Sequence, residues 1–308
     1  MSNRKLGIVF LTTVITFIAA PQLLYWACPA LMENIIFKAL ISSMLVISPS
    51  LIAIFLSRKR MDFRELLPFH KIRIATILKL VLFTALVSPL ATFLNVLSQL
   101  IVKNAVSGVM NEMSALPFLF TFFLVAVYAP MSEEIVFRGV LYQGFRNNSG
   151  AWKAMWYTGI LFGIMHMNLN QAAYAFAVGV IMVLLVEATG SLWSSVLYHI
   201  IFNGTSVCLL YLLKWLAPEL LNTQASEPAE SGIIMLISVF VYGVMAVGGC
   251  TLAALVYYWI AKGEGRTEYI KRLWTTRKEK KARIMTIPLV IGMVLCVGVM
   301  VLRTVRKF

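Results

Sequence analysis

The sequence predicts an all-α protein, a polytopic bundle of eight to nine transmembrane helices. The 308-residue chain is 60% hydrophobic and only 13% charged, and its mean hydropathy of +0.84 is typical of a multi-pass membrane protein. Apolar runs of about 20 residues, long enough to cross a ~30 Å hydrocarbon core, follow one another with no soluble domain between them. They lie near 7–28, 35–56, 79–102, 117–143, 151–168, 171–188, 192–214, 233–261 and 284–302.

The formal net charge of +14 is concentrated in two loops. Residues 58–79 and 262–283 are rich in Lys and Arg, whereas residues 218–231 carry three Glu and no base. By the positive-inside rule the basic loops and the N-terminus are cytoplasmic, which predicts a multi-pass protein of the cell membrane. The ninth run breaks this rule, because it would place three C-terminal bases outside. No nucleic-acid motif accompanies the basic loops, so attraction to anionic lipid headgroups is the expected role.

Composition along the chain divides it into three parts. We predict three N-terminal spans in 1–114, a polar core in 115–215, and C-terminal spans with a basic cytoplasmic loop in 216–308. The core is distinguished by polar side chains at membrane depth, where an ionisable group costs at least ~2.5–3.5 kcal/mol. These side chains are Glu133, Glu134, Arg138, His166, His199 and Asn203. Their cost predicts a polar functional site inside the bundle.

The first polar group follows the pattern E-E-x-x-x-R. Glu134 and Arg138 are four residues apart on a helix, with the acid on the N-terminal side, and therefore can pair on one face. Glu133 is rotated by ~100° from that face. One carboxylate would then be neutralised, while the other would be available as a general base, its pKa raised by burial beside a second carboxylate. The alternative is a structural ion pair with Glu133 facing a water pocket.

Two further pairs have the same spacing of four residues. Phe162 precedes His166, and His199 precedes Asn203. Each pair alone is equally compatible with hydrogen bonds that join membrane helices. Two of the three histidines nevertheless fall in spans close to the paired glutamates, and this conjunction favours a shared site.

Together these residues resemble the CPBP (Abi) family of intramembrane proteases, which includes the CAAX prenyl endopeptidase. The family motifs E-E-x-x-x-R, F-x-x-x-H and H-x-x-x-N stand in order within roughly 115–212. The resemblance implies a CAAX-protease-like core of eight helices, so a ninth helix has no family assignment. It further implies that Glu133 and His166 activate a water, that His199 and Asn203 stabilise the oxyanion, and that Glu134, Arg138 and Phe162 support them.

A metal mechanism is the alternative. Glu133, His166 and His199 form a His2Glu set, which is one known type of catalytic zinc site. The H-E-x-x-H pair of many zinc proteases is missing, so we favour catalysis without a cofactor and keep zinc as the alternative.

The expected partner is a membrane-embedded or membrane-bound peptide, either prenylated or a secreted peptide. Two rival functions remain open at this point. One is a catalytically idle member of the same fold that acts as a scaffold or bacteriocin-immunity factor; intact motifs disfavour it. The other is a proton-coupled transporter, which would require inverted repeats that the sequence lacks.

Overall fold

The computed structural model describes residues 1–57, 63–218, 232–275 and 282–305, and these ranges contain helices and no strand. The helices are α1 (Asn3–Ala27), α2 (Pro29–Glu33), α3 (Ile35–Ser57), α4 (Phe63–Leu66), α5 (Ile74–Gln99), α6 (Ala105–Met113), α7 (Phe118–Ser149), α8 (Ala151–Met165), α9 (Leu169–Thr189), α10 (Leu192–Leu216), α11 (Gly232–Gly263), α12 (Thr267–Thr275) and α13 (Ile287–Val305). Within these ranges, 8 helices are long and apolar enough to cross a membrane. The predicted all-α, multi-pass fold is confirmed.

Helix α8 accounts for the difference between the nine predicted runs and the eight span-length helices. It has 15 residues, which at 1.5 Å per residue gives a length of about 22 Å. The run predicted for 151–168 ends early because Met167 adopts a positive φ of 52°, and Asn168 caps α9 by accepting a 2.7 Å hydrogen bond from the Gln171 backbone N–H. The chain therefore turns back before it has covered a full bilayer thickness.

One end of the bundle gathers the basic segments, and we call it the basic end. Asn3 in α1 donates to Ser149 Oγ at the end of α7 and to the Arg283 carbonyl before α13, both at 2.8 Å. The turn after α9 joins the same end, since Ser191 Oγ donates to the His70 carbonyl. Most of the chain's 27 Lys and Arg residues belong to segments that begin or end here.

The other end, which we call the opposite end, contains the segments 27–35, 99–118 and 165–169, together with the C-terminal ends of α10 and α13. Asn170 at the start of α9 donates to Asn95 Oδ1 near the end of α5 at 2.6 Å. The C-terminal part of α10 is fixed by Lys214, which donates to the Ser114 carbonyl at 2.7 Å. Along the bundle, α5 packs on α11, α8 on α9 and α1 on α13. The domain boundaries at 114/115 and 215/216 stay a prediction.

Candidate active site in the membrane bundle

Helix α7 carries the paired glutamates at a change of helical geometry. Two π-helical segments, Phe122–Tyr128 and Ile135–Leu141, flank the α-helical Ala129–Glu134. A π-helical turn is rare and is often found at functional sites, because its extra residue per turn redirects side chains. Glu133 and Glu134 are the last residues of the α-helical part, at the middle of a 32-residue helix.

Glu134 and Arg138 form a fully buried ion pair. Arg138 Nη1 donates to Glu134 Oε1 at 2.9 Å, and the exposed fractions of the two side chains are 1% and 0%. Arg138 Nη2 also donates to the Gly179 carbonyl of α9 at 3.3 Å. The guanidinium lies over the Phe162 ring, 4.1 Å from its centroid. These partners compensate for the desolvation of a charge that would otherwise be very costly at this depth.

His199 connects the two glutamates. Its Nδ1 lies 3.1 Å from Glu134 Oε1, and its Nε2 lies 3.9 Å from Glu133 Oε2. The Glu133 side chain is 27% exposed, in contrast to Glu134. The two adjacent carboxylates therefore face different surroundings, as expected from their positions on the helix: Glu134 is enclosed by Arg138 and His199, and Glu133 is accessible.

His166 stands at the C-terminal end of α8. Its Nδ1 lies 2.8 Å from the Phe162 carbonyl, so an Nδ1–H donates there and the Nε2 lone pair points away from the helix. The Phe162 ring contacts His166 edge-to-face, with a centroid separation of 5.0 Å, and His199 at 6.0 Å. Phe162 thus packs against both imidazoles.

Asn203 lies one helical turn beyond His199 on α10. Its Nδ2 donates to the Val125 carbonyl in the first π-helical segment of α7 at 3.0 Å. An amide group has two N–H donors, so one donor remains for another acceptor. Asn203 therefore joins α10 to the first π-helical segment of α7, on the N-terminal side of the paired glutamates.

Zinc held by Glu133, His166 and His199 stays the alternative to catalysis without a metal. Among the described residues, no group of three or more His, Cys, Asp or Glu side chains is placed so that it could hold a metal ion. Nδ1 of His199 is bonded to Glu134 and Nδ1 of His166 to the Phe162 carbonyl, so the Nε2 atom is the free ring nitrogen of each imidazole that could act in the site.

The structure adds three polar residues on α9 and the turn before it, which the sequence motifs do not include. The Asn168 and Gln171 side chains hydrogen-bond with each other. The Tyr174 side chain hydrogen-bonds with Gln171 and lies within electrostatic range of Glu133. An Asn directly before an apolar helical run is an N-cap signal, so the sequence marks Asn168. No sequence signal marks Gln171 or Tyr174 as part of the site.

These observations define a multi-pass helical membrane protein with a buried site built from Glu, His and Arg. A comparison with family models matches residues 115–205 to the family described as type II CAAX prenyl endopeptidase Rce1-like. This match confirms the resemblance found in the three motifs: the segment is a CAAX-protease-like domain of the CPBP family. Comparisons with curated proteins and with solved structures returned no match.

Proposed function

We propose that this chain is an intramembrane endopeptidase of the cell membrane with a cytoplasmic N-terminus. It hydrolyses peptide bonds of membrane-associated polypeptides with water that Glu133 and His166 activate. The observation that carries the proposal is the contrast between two adjacent carboxylates: Glu134 is buried and paired with Arg138, whereas Glu133 is accessible and faces His199. An accessible carboxylate in a membrane helix whose basic neighbour, His199, lies 3.9 Å away is costly to maintain without a chemical role.

Water activation is assigned to Glu133 and His166. The His166 Nε2 lone pair accepts a hydrogen bond from the water, while Glu133 removes the other proton as general base. The water oxygen then bonds to the carbonyl carbon of the substrate. When the C–N bond breaks, the leaving nitrogen takes the proton from Glu133, giving a carboxylic acid and an amine.

Stabilisation of the oxyanion is assigned to His199 and Asn203. An imidazolium at His199 donates from Nδ1 to Glu134 and from Nε2 to the developing negative charge. Asn203 supplies its second N–H while the first stays bonded to Val125. One such donor is worth about 3 kcal/mol of transition-state stabilisation. Glu134, Arg138 and Phe162 are positioning residues in this proposal. Glu134 and Phe162 contact His199, and Arg138 contacts Glu134 and the Phe162 ring, but none of the three acts on the water or the substrate.

This mechanism uses no metal. We therefore expect the purified enzyme to keep its activity after strong chelation and to contain less than one metal ion per chain. The measurement is peptide cleavage after treatment with 1,10-phenanthroline, combined with metal analysis of wild type and His199→Ala. Chelator inhibition that Zn²⁺ reverses, together with metal loss in His199→Ala, would contradict the mechanism and leave the peptidase assignment intact.

The decisive experiment compares peptides in membrane fractions from cells that carry wild type or Glu133→Gln. The substitution keeps the side-chain size and removes the base, so substrates should accumulate uncleaved at unchanged protein abundance. Glu112→Gln is the matched control, because Glu112 is exposed on α6 and lies outside the site. If Glu133→Gln and wild type give the same peptides, the chain is a catalytically idle member of its fold.

A further inference from the structure

A cavity of about 650 Å³ leads from the opposite end of the bundle toward the proposed site. Its rim is formed where α5, α8 and α13 end and α9 begins. Eight polar residues line it: Gln99, Lys103, His166, Asn168, Asn170, Gln171, Arg303 and Thr304. His166 belongs both to this lining and to the proposed catalytic group, so the cavity reaches the reaction site.

Two contacts extend this path to Glu133. The first passes through Gln171, which lines the cavity and hydrogen-bonds with Tyr174, the residue within electrostatic range of Glu133. The second passes through Phe162, whose ring touches both His166 and His199. The cavity is therefore linked to the accessible carboxylate through neighbouring side chains, the last of which is His199, whose Nε2 lies 3.9 Å from Glu133 Oε2.

The backbone at the inner part of the cavity is irregular, since α8 stops at Met165 and α9 starts at Leu169. Non-helical backbone at membrane depth is tolerated where protein buries it or where it lines a water-filled space. His166 and Asn168 are only partly buried here, which favours a water-filled space. Such a space would supply the water that hydrolysis consumes.

The bundle is closed between the site and the basic end. Every residue of α7 from 136 to 145 is buried. Gly139 in this stretch packs so tightly on α4 and the segment after it that an added Cβ would lie 2.5 Å from Leu67 Cδ2 and 3.3 Å from the Leu66 carbonyl oxygen. The part of α7 between the site and the basic end is therefore closely packed.

The charges of the two ends assign them to sides of the membrane. The basic end carries the two Lys- and Arg-rich loops and is cytoplasmic by the positive-inside rule. The segments of the opposite end carry nearly balanced charge: the bases Lys38, Lys103, Lys214, Arg303, Arg306 and Lys307 against the acids Glu33, Glu112, Glu219, Glu227 and Glu230. Even with its three C-terminal bases, this end has far less net positive charge than the basic end.

From these observations we infer that the site opens to the extracytoplasmic face of the membrane. Its substrates are then polypeptides whose scissile bond lies outside or in the outer half of the bilayer, such as translocated tails of membrane proteins or secreted peptides. A prenylated C-terminus that stays in the cytoplasm would not reach Glu133. The substrate class rests on the proposed peptidase function, whereas the side of access is independent of turnover.

The side of access can be measured without a substrate. In a chain whose four cysteines are replaced by alanine, single cysteines are introduced by His166→Cys and, as a second reporter in the same cavity, Gln171→Cys. A small, charged, membrane-impermeant methanethiosulfonate is added to sealed right-side-out or inside-out vesicles. We expect both cysteines to react in right-side-out vesicles at least tenfold faster than in inside-out vesicles.

Two matched controls accompany this measurement. Glu268→Cys lies on the exposed surface of α12 at the basic end and should react only in inside-out vesicles. Val140→Cys is buried in α7 between the site and the basic end and should react in neither. The inference would be overturned if the cavity cysteines reacted only in inside-out vesicles. It would also be overturned if they reacted in neither preparation while the Glu268→Cys control did react.

Substrates provide a second, separable test. Peptides that lose cleavage in Glu133→Gln cells should have their cleavage sites in extracytoplasmic segments or in the outer half of a span. Cleavage sites in cytoplasmic tails would overturn the side of access but keep the peptidase assignment. An absence of any affected peptide would contradict the proposed function, and the cysteine measurement would still decide the side of access.

Discussion

At the scale of single residues, the two adjacent glutamates show how identical side chains acquire different roles. Glu134 is enclosed by Arg138 and His199, while Glu133 extends from the same helix toward His199 Nε2 and the accessible space. Charges inside a membrane need partners, and Glu134 has both of its cationic partners within hydrogen-bonding distance. The His199 imidazole lies farther from Glu133, with 3.9 Å between Nε2 and Oε2. This difference makes Glu133 the candidate base.

Arg138→Ala should act mainly through stability. The substitution leaves Glu134 buried with only His199 as a partner, and breaking one side of a buried ion pair typically costs ~3–5 kcal/mol. We expect a lower unfolding temperature in detergent and lower abundance in membranes. The control is Glu268→Gln, which breaks the exposed Glu268–Lys271 pair and should leave the unfolding temperature unchanged. A dead enzyme of unchanged stability would instead place Arg138 in contact with substrate.

Asn203→Ala should reduce kcat by ~10²–10³-fold without abolishing turnover, because one oxyanion donor is lost while His199 remains. Measurement of kcat together with the unfolding temperature separates this role from the contact with Val125. Thr205→Ala is the matched control on the same helix, since its exposed hydroxyl bonds only to the Ile201 carbonyl. Wild-type turnover in Asn203→Ala would show that Asn203 serves only to join α10 to α7.

At the scale of elements, the hairpin of α8 and α9 determines where His166 lies. Gly163 permits the close approach of the two helices: an added Cβ would lie 2.7 Å from the Ala172 carbonyl oxygen and 3.1 Å from Phe176 Cβ. Because one of these neighbours is backbone, the helices would have to separate to accept a side chain. The last turn of α8, with His166, would then move.

Gly163→Ala should therefore lower both stability and turnover. Overpacking of this kind typically costs ~1–3 kcal/mol, and displacement of His166 adds a loss of kcat. Gly298→Ala in α13 is the control, because nothing lies within 4 Å of the added Cβ; its stability and activity should match wild type. Wild-type kcat in Gly163→Ala would mean that the position of His166 does not depend on this helix contact.

At the scale of the whole molecule, the number of crossings fixes the sides of the two termini. Eight span-length helices and the shorter α8 together make nine passages between the ends of the bundle. An odd number puts the N-terminus and the end of α13 on opposite sides. The number of passages and the charges of the loops thus agree on which ends of the helices share a side of the membrane.

Reporter fusions test this arrangement. A fluorescent protein that folds only in the cytoplasm should be bright when fused before Met1 and dark when fused after Phe308. Alkaline phosphatase, active only outside, should give the reverse. Fusions of both reporters in the loop after α11 serve as the internal standard for the cytoplasmic side. Two termini on one side would show that α8 or α13 does not complete a crossing.

Much of this architecture could be predicted because it depends on local sequence. Hydropathy locates the spans, because each helix must be apolar over the thickness of the bilayer. The exception is the end of α7, which continues past the predicted limit of 143 to Ser149 with residues that are no longer apolar. A spacing of four residues predicts that Glu134 and Arg138 share a helix face, and they do. The family of the segment 115–205 also follows from three short motifs.

Other features arise only from contacts between residues distant in the chain. His199 bonds to Glu134 across 65 positions, the Phe162 ring contacts two imidazoles, and the cavity that includes His166 lies at the opposite end of the bundle. The lengths of α8 and α9 and the packing of α7 set these relations. Spacing along a sequence determines which face of a helix a residue occupies, but the neighbours of that face depend on how the helices pack against one another.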